Sequence, residues 1–485
     1  MQATAIGPVL LGAAALGLGA FACADKELDA SARTEPGAAC EPEGEPCDEG
    51  LACELVVGSM EHMCAARVEI RGSVIDAIDD HPIEGAHVVA VDELGAPVTR
   101  VVQTDAQGRY ALPVGVPRDA EGRLVHAPRW TLLVAAAGYL RFPGPLRPAL
   151  PIDAQVAVAS DDPTVQAVID DASTTVALLP ATSTGGVTIT GQVEGELAAG
   201  TLVVAEGLDP VSLAVADLDG AFTLFNVPAG AATLRGYRRG LDVEPVALTV
   251  GDADIADVRL VVRAQDVAAL GVVEGSVNIV DAPGGSTTSV VLVPSSVFDP
   301  HLERGPVPVG LRAPAPPEAP SVSSAFQIDG VPSGRYHVLA AFENDGLVRD
   351  PDASIAGTQL QQVEVGLGEV VALPESFKIT AALAIVAPGA DAPEPVDAAP
   401  VLSWIDDASE DRYEVVVHDA RGEEIWRDAE IPAVSGAEAV ELPYGGPALT
   451  SGMYYQFRVT SWRDTPQGST ALSRSEDLLG VFVVR

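Results

Sequence analysis

Basic residues are scarce in this chain of 485 residues. It carries 28 lysines and arginines against 69 aspartates and glutamates, which gives a formal net charge of −41 at pH 7. A surface of this sign repels the phosphate backbone of nucleic acids and anionic lipid headgroups, so nucleic acid is not expected as a partner. The acidic charge is spread along the whole chain. We therefore interpret it as a feature that promotes solubility rather than as a set of sites for Ca²⁺ or cationic partners.

Aromatic residues are also few. They make up 5 % of the chain, whereas apolar residues of all kinds make up 47 %. Buried cores must therefore be built mainly from valine, leucine, isoleucine and alanine. Valine is frequent and helical periodicity is scarce, which favours an all-β fold. A chain of this length suits three to five domains of ordinary size.

The motifs of common enzymes are missing. The chain has no G-x-S-x-G nucleophile elbow, no H-E-x-x-H helix, no phosphate-binding glycine loop and no Rossmann fingerprint. His81 and Glu84 have the H-x-x-E spacing of a metallocarboxypeptidase zinc site, but they fall in a turn and no third ligand or general base accompanies them. We therefore predict no catalytic residue, no cofactor and no metal ligand, and we predict that the chain is not an enzyme.

The first 22 residues predict a secretory signal peptide. The run from Ile6 to Ala22 is almost wholly apolar, although no lysine or arginine precedes it, and a charged segment follows. Cys23 resembles the lipidated cysteine of a bacterial lipoprotein, with Ala20 where such signals usually carry leucine. Because Cys23 is the odd one of five cysteines, we predict that it is lipidated; the alternatives are removal with the signal or a free thiol. The protein is then an outer-membrane or cell-surface lipoprotein, or secreted if Cys23 is not lipidated.

Four cysteines cluster within 25 residues. In an exported chain this density predicts two disulfides among Cys40, Cys47, Cys53 and Cys64, with all three pairings open. The segment is too short to bury a core, so the cross-links must supply its order. Zinc is the alternative, but no C-x-x-C pair is present and His62 is the only histidine nearby.

Repeated strand and turn motifs follow this segment. An alternating strand with a central glycine occurs three times, as Ile70-x-Gly72-x-Val74, Ile189-x-Gly191-x-Val193 and Val273-x-Gly275-x-Val277. A turn leading into an aromatic residue occurs twice, as Asp105-x-x-Gly108-x-Tyr110 and Asp217-x-x-Gly220-x-Phe222. The second of these contains a fragment of a calcium loop, Asp217-Leu218-Asp219-Gly220, which we interpret as turn structure. The segments FTLFNVPAGAATL, from Phe222, and FQIDGVPSGRYHV, from Phe326, align without a gap and indicate an internal repeat.

These units resemble the carboxypeptidase regulatory-like family. The first unit carries G-x-V, then P-x-x-G-A from Pro82 to Ala86, then T-D-x-x-G-x-Y, and then Gly138-Tyr139. The resemblance covers about 67–145 and 186–263, and more weakly 270–375, where a proline-rich insertion interrupts it. It implies small transthyretin-like β-sandwiches with an accessory or spacer role and no peptidase activity. Related sandwiches include starch-binding-like modules, so sugar binding enters by analogy alone.

The last unit resembles a fibronectin type III domain. Leu402-x-Trp404 and Tyr413-x-Val415-x-Val417 alternate as strands, and Leu449 with Tyr455-x-Phe457-x-Val459 matches a tyrosine corner, although Ser451 stands where proline is usual. The resemblance covers about 380–485 and implies a further sandwich with Trp404 in its core. Trp426 and Trp462 are the remaining candidates for stacking against a sugar.

The predicted fold is all-β, with tandem immunoglobulin-like or transthyretin-like sandwiches that each close independently. The expected order is a signal peptide (1–22), a linker after lipidated Cys23 (23–39), a disulfide-rich segment (40–66), two regulatory-like sandwiches (67–180 and 185–265), a divergent third sandwich (270–378) and a fibronectin-like sandwich (379–485).

The predicted function is that of a non-enzymatic surface protein of structural, spacer or adhesion type. Its partner is a surface protein or polysaccharide that the sequence does not identify, and it meets the membrane only through its lipid anchor. The alternative is a carbohydrate-binding, starch-binding-like accessory protein, with or without Ca²⁺.

Overall fold

A computed structural model of the chain is built almost entirely from β-strands. The residues that the structure describes are 36–41, 47–48, 51–59, 61–124, 129–144, 149, 151–162, 164–182, 185–279, 287–300, 304–315, 322–343, 350–352, 360–379, 382–407, 410–434, 439–475 and 479–485. Within these ranges the only helical elements are 3-10 turns at Ala154–Val156, Ala172–Thr174, Val267–Ala269 and Ser295–Val297. None of the described helices has the length and hydropathy needed to cross a membrane. The predicted signal peptide and Cys23 lie outside the described residues.

The disulfide-rich segment is confirmed as a small sheet held by two cross-links. It is formed by β1 (Ala39–Cys40), β2 (Leu51–Leu55) and the first half of β3 (His62–Asp76). The disulfides join Cys40 to Cys53 and Cys47 to Cys64, which selects one of the three open pairings and leaves none of these sulfurs for zinc. Because β3 is 15 residues long, its second half enters the next sheet without a break.

Sandwich 1, as we name the unit formed by β3 to β11, packs two sheets face to face. In one sheet β3 pairs with β6, β10 and β11; in the other the order is β5-β4-β7-β8. The added strands are β4 (His87–Val91), β5 (Val102–Gln103), β6 (Arg109–Val114), β7 (Arg129–Ala135), β8 (Ile152–Asp153), β9 (Val158–Ala159), β10 (Val165–Ile169) and β11 (Thr175–Leu178). Side chains along β6 and β7 alternate between buried and less buried, as period-2 strands should, and Trp130 of β7 lies in the core.

Sandwich 2, formed by β12 to β20, repeats this plan. Its sheets have the orders β15-β12-β19 and β14-β13-β16-β18, with a short β17-β20 pair beside them. The strands are β12 (Val187–Val193), β13 (Leu202–Glu206), β14 (Ser212–Val215), β15 (Ala221–Val227), β16 (Gly230–Tyr237), β17 (Asp242–Val243), β18 (Val246–Val250), β19 (Ile255–Leu260) and β20 (Val262–Ala264).

Sandwich 3, formed by β21 to β29, has the same central pairings. One sheet has the order β24-β21-β28 with β29 also on β21, and the other has the order β23-β22-β25-β26 with β27 also on β25. The strands are β21 (Gly271–Ile279), β22 (Thr287–Pro294), β23 (Arg312–Ala313), β24 (Ala325–Val331), β25 (Gly334–Glu343), β26 (Asp350–Asp352), β27 (Gln361–Val365), β28 (Val370–Ala372) and β29 (Phe377–Ile379).

Sandwich 4, formed by β30 to β38, has a different topology. Its sheets have the orders β30-β32-β35 and β31-β38-β36-β33-β34, with β37 also on β36. The strands are β30 (Ile385–Ala387), β31 (Glu394–Val396), β32 (Val401–Ile405), β33 (Arg412–Asp419), β34 (Glu424–Pro432), β35 (Ala439–Pro443), β36 (Tyr454–Thr465), β37 (Gly468–Arg474) and β38 (Val481–Val484). Trp404 is fully buried against Tyr413, and the Tyr455 hydroxyl accepts a hydrogen bond of 2.8 Å from the backbone N–H of Thr450.

Five turns in the described residues share one Asp-x-x-Gly design. In each, one carboxylate oxygen of the aspartate accepts hydrogen bonds of 3.0 Å or less from the backbone N–H groups two and four residues later. The glycine of each turn adopts positive φ, for example +70° at Gly108 and +80° at Gly220. Glycine adopts this backbone conformation without steric cost. The two turns predicted from sequence belong to this set; the others, which the same spacing would have found, begin at Asp92, Asp119 and Asp419.

The central glycine of each opening strand makes room for an aromatic ring. Gly191 is the register partner of Phe222, and the same pairing joins Gly72 to Tyr110 and Gly275 to Phe326. A Cβ atom on Gly191 would lie 2.5 Å from Cζ of Phe222 and still closer to the backbone oxygen of Val258. A ring laid across a glycine fills the gap that the missing side chain leaves. The glycine of the repeated strand motif is therefore required by sterics, not by backbone conformation.

Replacing Gly191 by alanine is expected to destabilise sandwich 2 by about 1–3 kcal/mol, because a methyl group there must displace a ring and a backbone carbonyl. Gly251→Ala is the matched control, since a Cβ at that position meets nothing within 4 Å. Urea unfolding monitored by fluorescence or circular dichroism would measure both. Equal free energies of unfolding for the two variants would contradict the steric explanation.

Candidate functional site

One cluster in the described residues combines histidine and carboxylate groups at metal-ligand spacing. It consists of Asp76, Asp79 and His81, which lie in the turn between β3 and β4. His81 Nδ1 lies 2.5 Å from Asp79 Oδ1 and 4.0 Å from Asp76 Oδ2. On the other side of the ring, Nε2 lies 3.3 Å from the Tyr139 hydroxyl. Protonated His81 and Asp79 thus form a hydrogen-bonded ion pair, and the buried carboxylate of Asp76 lies on the same side of the histidine ring.

Each member of this cluster already has a role in the turn. Asp76 is buried, and its Oδ1 accepts the backbone N–H groups of Ile78, at 2.7 Å, and Asp79, at 3.4 Å. Asp79 and His81 are exposed, and their hydrogen bond raises the pKa of His81 and lowers the pKa of Asp79. Turn formation and ion pairing therefore account for the arrangement. Glu84, which the H-x-x-E spacing pairs with His81, is exposed and lies outside the cluster.

Three further histidines are partly or fully buried and serve packing. His337 stacks on Phe298 at a centroid distance of 4.0 Å, and His87 meets Phe225 edge to face at 4.9 Å. Burial lowers the pKa of both, and it lowers the pKa of His418 to about 4. These rings are therefore neutral at pH 7. They lie in different strands, and none is hydrogen-bonded to a serine or cysteine in the described structure.

The tryptophans do not share a platform for a sugar. Trp130 and Trp404 are core residues. Trp426 pairs with Val417 on one side of β33 and meets the Tyr444 ring edge to face at 5.0 Å. Trp462 pairs with Arg412 on the other side of β33, five positions away, which is about 17 Å along a strand. The guanidinium of Arg412 also covers the Trp462 ring at 5.2 Å. Carbohydrate binding thus stays a prediction without a common aromatic surface to support it.

The contacts between sandwiches are the most elaborate polar sites in the described structure. At joint 1–2, as we name the contact of sandwiches 1 and 2, Asn226 reaches from the end of β15 into the turn after β7. Its Oδ1 accepts the N–H of Gly138 at 2.7 Å, and its Nδ2 donates to the carbonyls of Tyr139, at 2.8 Å, and Ala136, at 3.4 Å. One side chain therefore satisfies three backbone groups of the neighbouring sandwich.

Joint 2–3, the contact of sandwiches 2 and 3, repeats this arrangement one unit further along. Gly240 lies three residues after β16, as Gly138 lies three residues after β7, and its N–H donates to the carbonyl of Gly330 at 2.8 Å. Gly330 is the residue that aligns with Asn226 in the internal repeat. Both residues have positive φ, +64° and +56°, which glycine and asparagine tolerate best. The repeat alignment therefore contained a signal for the joint that the sequence analysis did not use.

Joint 2–3 also carries buried charge. Asp242, with only 2 % of its side chain exposed, accepts hydrogen bonds of 2.8 Å from the backbone N–H and the hydroxyl of Ser333. Arg263 bridges both residues, at 2.7 Å from Asp242 Oδ2 and 2.7 Å from the Ser333 hydroxyl. A second ion pair joins Arg239 to Asp329. Asp242 is shielded from water, so its charge-assisted hydrogen bonds fix the orientation of the joint more than the second ion pair, whose side chains are 29 % and 44 % exposed.

Apolar packing continues through joint 2–3. Strand β13 is buried on both faces: Val203 and Ala205 belong to the core of sandwich 2, whereas Leu202 and Val204 pack into the core of sandwich 3. Sandwich 4 in turn buries Leu179 of sandwich 1 in its own core cluster. The expectation of independently closing units is therefore wrong for these described cores, because the outer faces of their sheets are too apolar to be left in water.

Comparison with known proteins finds that part of the chain is similar to an immunoglobulin-like family. The family described as "Rha78A-like, N-terminal immunoglobulin domain" matches residues 390–476, which lie in sandwich 4. This match covers well under half of the chain, so it characterises that region and not the whole protein. No curated protein matches the sequence.

The solved structures to which this chain is similar include the TIE protein and two bacterial pilins. The TIE protein of Bacillus anthracis is 12 % identical; the match covers 68 % of this chain and 57 % of that one, with a TM-score of 0.15. The minor pilin GBS52 of Streptococcus agalactiae is 11 % identical over 42 % of this chain and all of its own length, with a TM-score of 0.18. BcpA, the major pilin subunit of Bacillus cereus, is 12 % identical over 65 % of this chain and 99 % of its own, with a TM-score of 0.18. With TM-scores below 0.2, these similarities carry no argument about function.

Titration of His81 should depend on Asp79. We expect its pKa, followed by NMR of the ring protons, to lie above the ordinary histidine value and to return toward that value in Asp79→Asn, because the neutral amide no longer favours the imidazolium. Asp80→Asn is the control, since Asp80 is adjacent in sequence but is not part of the cluster. The ion pair is complete between the lowered pKa of Asp79 and the raised pKa of His81, and it is lost as the pH rises through the pKa of His81. Equal shifts in both variants would show that general acidic charge, and not this contact, sets the pKa.

Loss of the Asn226 side chain should uncouple sandwiches 1 and 2. Asn226→Gly keeps the positive φ accessible and removes three hydrogen bonds, each contributing about 0.5–1.5 kcal/mol. Asp257→Gly is the matched control, because Asp257 also has positive φ (+59°) and is exposed. We expect calorimetry to resolve two transitions in the Asn226 variant where the parent and the control unfold together. A single unchanged transition in Asn226→Gly would count against a coupling role.

Proposed function

We propose that this chain is an exported, non-enzymatic protein of the cell envelope with a structural or interaction role. The observation that carries the proposal is the repeated joint: Gly138 with Asn226, and Gly240 with Gly330, join successive sandwiches through the same positions of the fold. A protein whose function is to hold surfaces in a fixed relation needs such joints.

The way polar side chains are used supports a non-enzymatic role. Aspartates of the five Asp-x-x-Gly turns accept hydrogen bonds from backbone N–H groups. At joint 2–3, Asp242 accepts the backbone N–H of Ser333, and Asp329 forms an ion pair with Arg239. The histidine–carboxylate cluster found in the described residues consists of groups that hydrogen-bond within a turn. Catalysis needs a nucleophile or base aimed at free space beside stabilising donors, and these groups are aimed at the backbone or at neighbouring sandwiches.

We further propose that the protein is held at the membrane by acylation of Cys23. The odd cysteine after the apolar segment is the basis for this anchor, and acyl chains contribute about 0.8 kcal/mol for each buried CH₂ group. Residues 24–35 would then link the anchor to the first described residues. The strong net negative charge keeps the folded part away from anionic headgroups. The partner, a surface protein or a polysaccharide, would meet the exposed loops of the sandwiches.

Expression of the full chain in a bacterium with lipoprotein-processing enzymes tests both localisation and anchor. We expect mass spectrometry to find a mature N-terminus at triacylated Cys23 and fractionation to place the protein in the envelope. Cys23→Ser should release it to the soluble extracellular or periplasmic fraction, and Ala24→Ser should leave it in place. An unprocessed N-terminus in the cytoplasm would overturn the export proposal, whereas a processed terminus without acyl groups would overturn only the anchor. Labelling of the purified protein by a probe for hydrolase nucleophiles would overturn the non-enzymatic role.

A further inference from the structure

The connection that follows the aromatic-bearing strand has the same place in sandwiches 1, 2 and 3. It links β6 to β7, β15 to β16, and β24 to β25. In sandwiches 2 and 3 it is a tight turn with the sequence Val-Pro-x-Gly. The residue just before this turn, Asn226 in sandwich 2 and Gly330 in sandwich 3, contacts the preceding sandwich. This end of each sandwich is thus the surface that binds whatever comes before it in the chain.

In the described residues the unit that precedes sandwich 1 is the disulfide-rich segment, and the connection of sandwich 1 is built differently. The connection runs from residue 115 to 128, is described as far as Leu124, and meets the disulfide-rich segment. The N–H of Arg118 donates to the carbonyl of Leu55 at 2.8 Å, and the N–H of Val57 donates to the carbonyl of Arg118 at 2.7 Å. These two bonds form a short parallel bridge between the segment and the sandwich.

Buried charges reinforce this contact. Glu54 of β2 is 5 % exposed, and its Oε2 accepts the N–H of Val116 at 3.0 Å. The Arg118 side chain is fully buried and donates to the carbonyl of Ala66 at 2.7 Å and to the amide oxygen of Gln166. Burial raises the pKa of Glu54, while the nearby Arg118 opposes that rise. Charged groups are buried in this way only where a defined partner holds them.

We propose that the disulfide-rich segment is an N-terminal cap, occupying on sandwich 1 the docking surface that binds the preceding sandwich in sandwiches 2 and 3. The ligand of this surface is therefore part of the same chain. A docking surface in an array of repeated units needs a cover where no neighbouring repeat occupies it, because it would otherwise be left in water. The cap is too small to fold on its own core, and its two disulfides join β1 to β2, through Cys40 and Cys53, and Cys47 to Cys64 of β3.

The cap also determines how the N-terminal linker joins the array. Because β3 belongs to both the cap and sandwich 1, no flexible hinge separates them. Tension on the linker would pass through the disulfides into β3, which is paired within sandwich 1 with β6 on one side and with β10 and β11 on the other. This inference concerns folding and docking within the chain, so it stands whether or not the proposed envelope location is correct.

Amide hydrogen exchange on the purified full chain tests the cap. Glu54→Ala should speed exchange at the amides of Val57, Val116 and Arg118 by at least tenfold, because the cap loses its buried acceptor and leaves Arg118 without its charged neighbour. Glu61→Ala, an exposed acidic residue of the same segment, is the matched control and should change these rates less than twofold. The amides of Gly138 and Gly240, at the joints, should exchange as in the parent in both variants.

A variant lacking one disulfide, Cys47→Ser with Cys64→Ser, provides an independent test if Glu54→Ala does not fold. The amides of Val57, Val116 and Arg118 should again be the most accelerated in the disulfide-rich segment and sandwich 1. Unchanged amide exchange at Val57 and Arg118 in either folded variant would contradict the proposal that the disulfide-rich segment is a cap. Uniform acceleration across sandwich 1, with no excess at these amides, would overturn it as well.

Discussion

The burial of strand β13 on both faces is the constraint on which the arrangement of the protein depends. Its alternate side chains enter two cores: Val203 and Ala205 face sandwich 2, and Leu202 and Val204 face sandwich 3. Successive side chains of a strand point to opposite faces of the sheet, so four consecutive apolar residues make both faces of β13 apolar. A second layer must therefore cover the sheet. At about 25 cal/mol for each Å² of apolar surface removed from water, this burial is the main attraction between the two sandwiches.

Hydrogen bonds at the joints then decide how the apolar faces meet. Asn226 and Gly330 occupy equivalent positions and bind equivalent glycines, so two successive joints are built on one plan. Apolar contact is non-directional, whereas backbone donors and acceptors accept few geometries. Polar contacts also fix the disulfide-rich segment on sandwich 1. There Glu54 accepts the N–H of Val116, and Arg118 donates to the carbonyl of Ala66. The polar side chains at these contacts thereby fix the position of one unit against the next.

The sequence was most informative where a single local interaction decides the structure. The turns at Asp105 and Asp217 follow from a side chain that satisfies nearby backbone groups, so spacing alone predicts them. The all-β class follows from valine content and period-2 alternation, and four closely spaced cysteines indicate two disulfides. The candidate site was less predictable: His81 was paired in sequence with Glu84, whereas its partners in the structure are Asp76 and Asp79, because the turn folds back on its own start.

The sequence by itself determined the strand pattern, the turn chemistry and the repeat of three related units, since each depends on residues close together in the chain. Only the tertiary structure decided the disulfide pairing, the shared core of sandwiches 2 and 3, and the contact of sandwich 4 with Leu179 of sandwich 1. These features join residues up to a few hundred positions apart. Alternation shows that a side chain is buried, but it carries no information about which distant apolar face covers it.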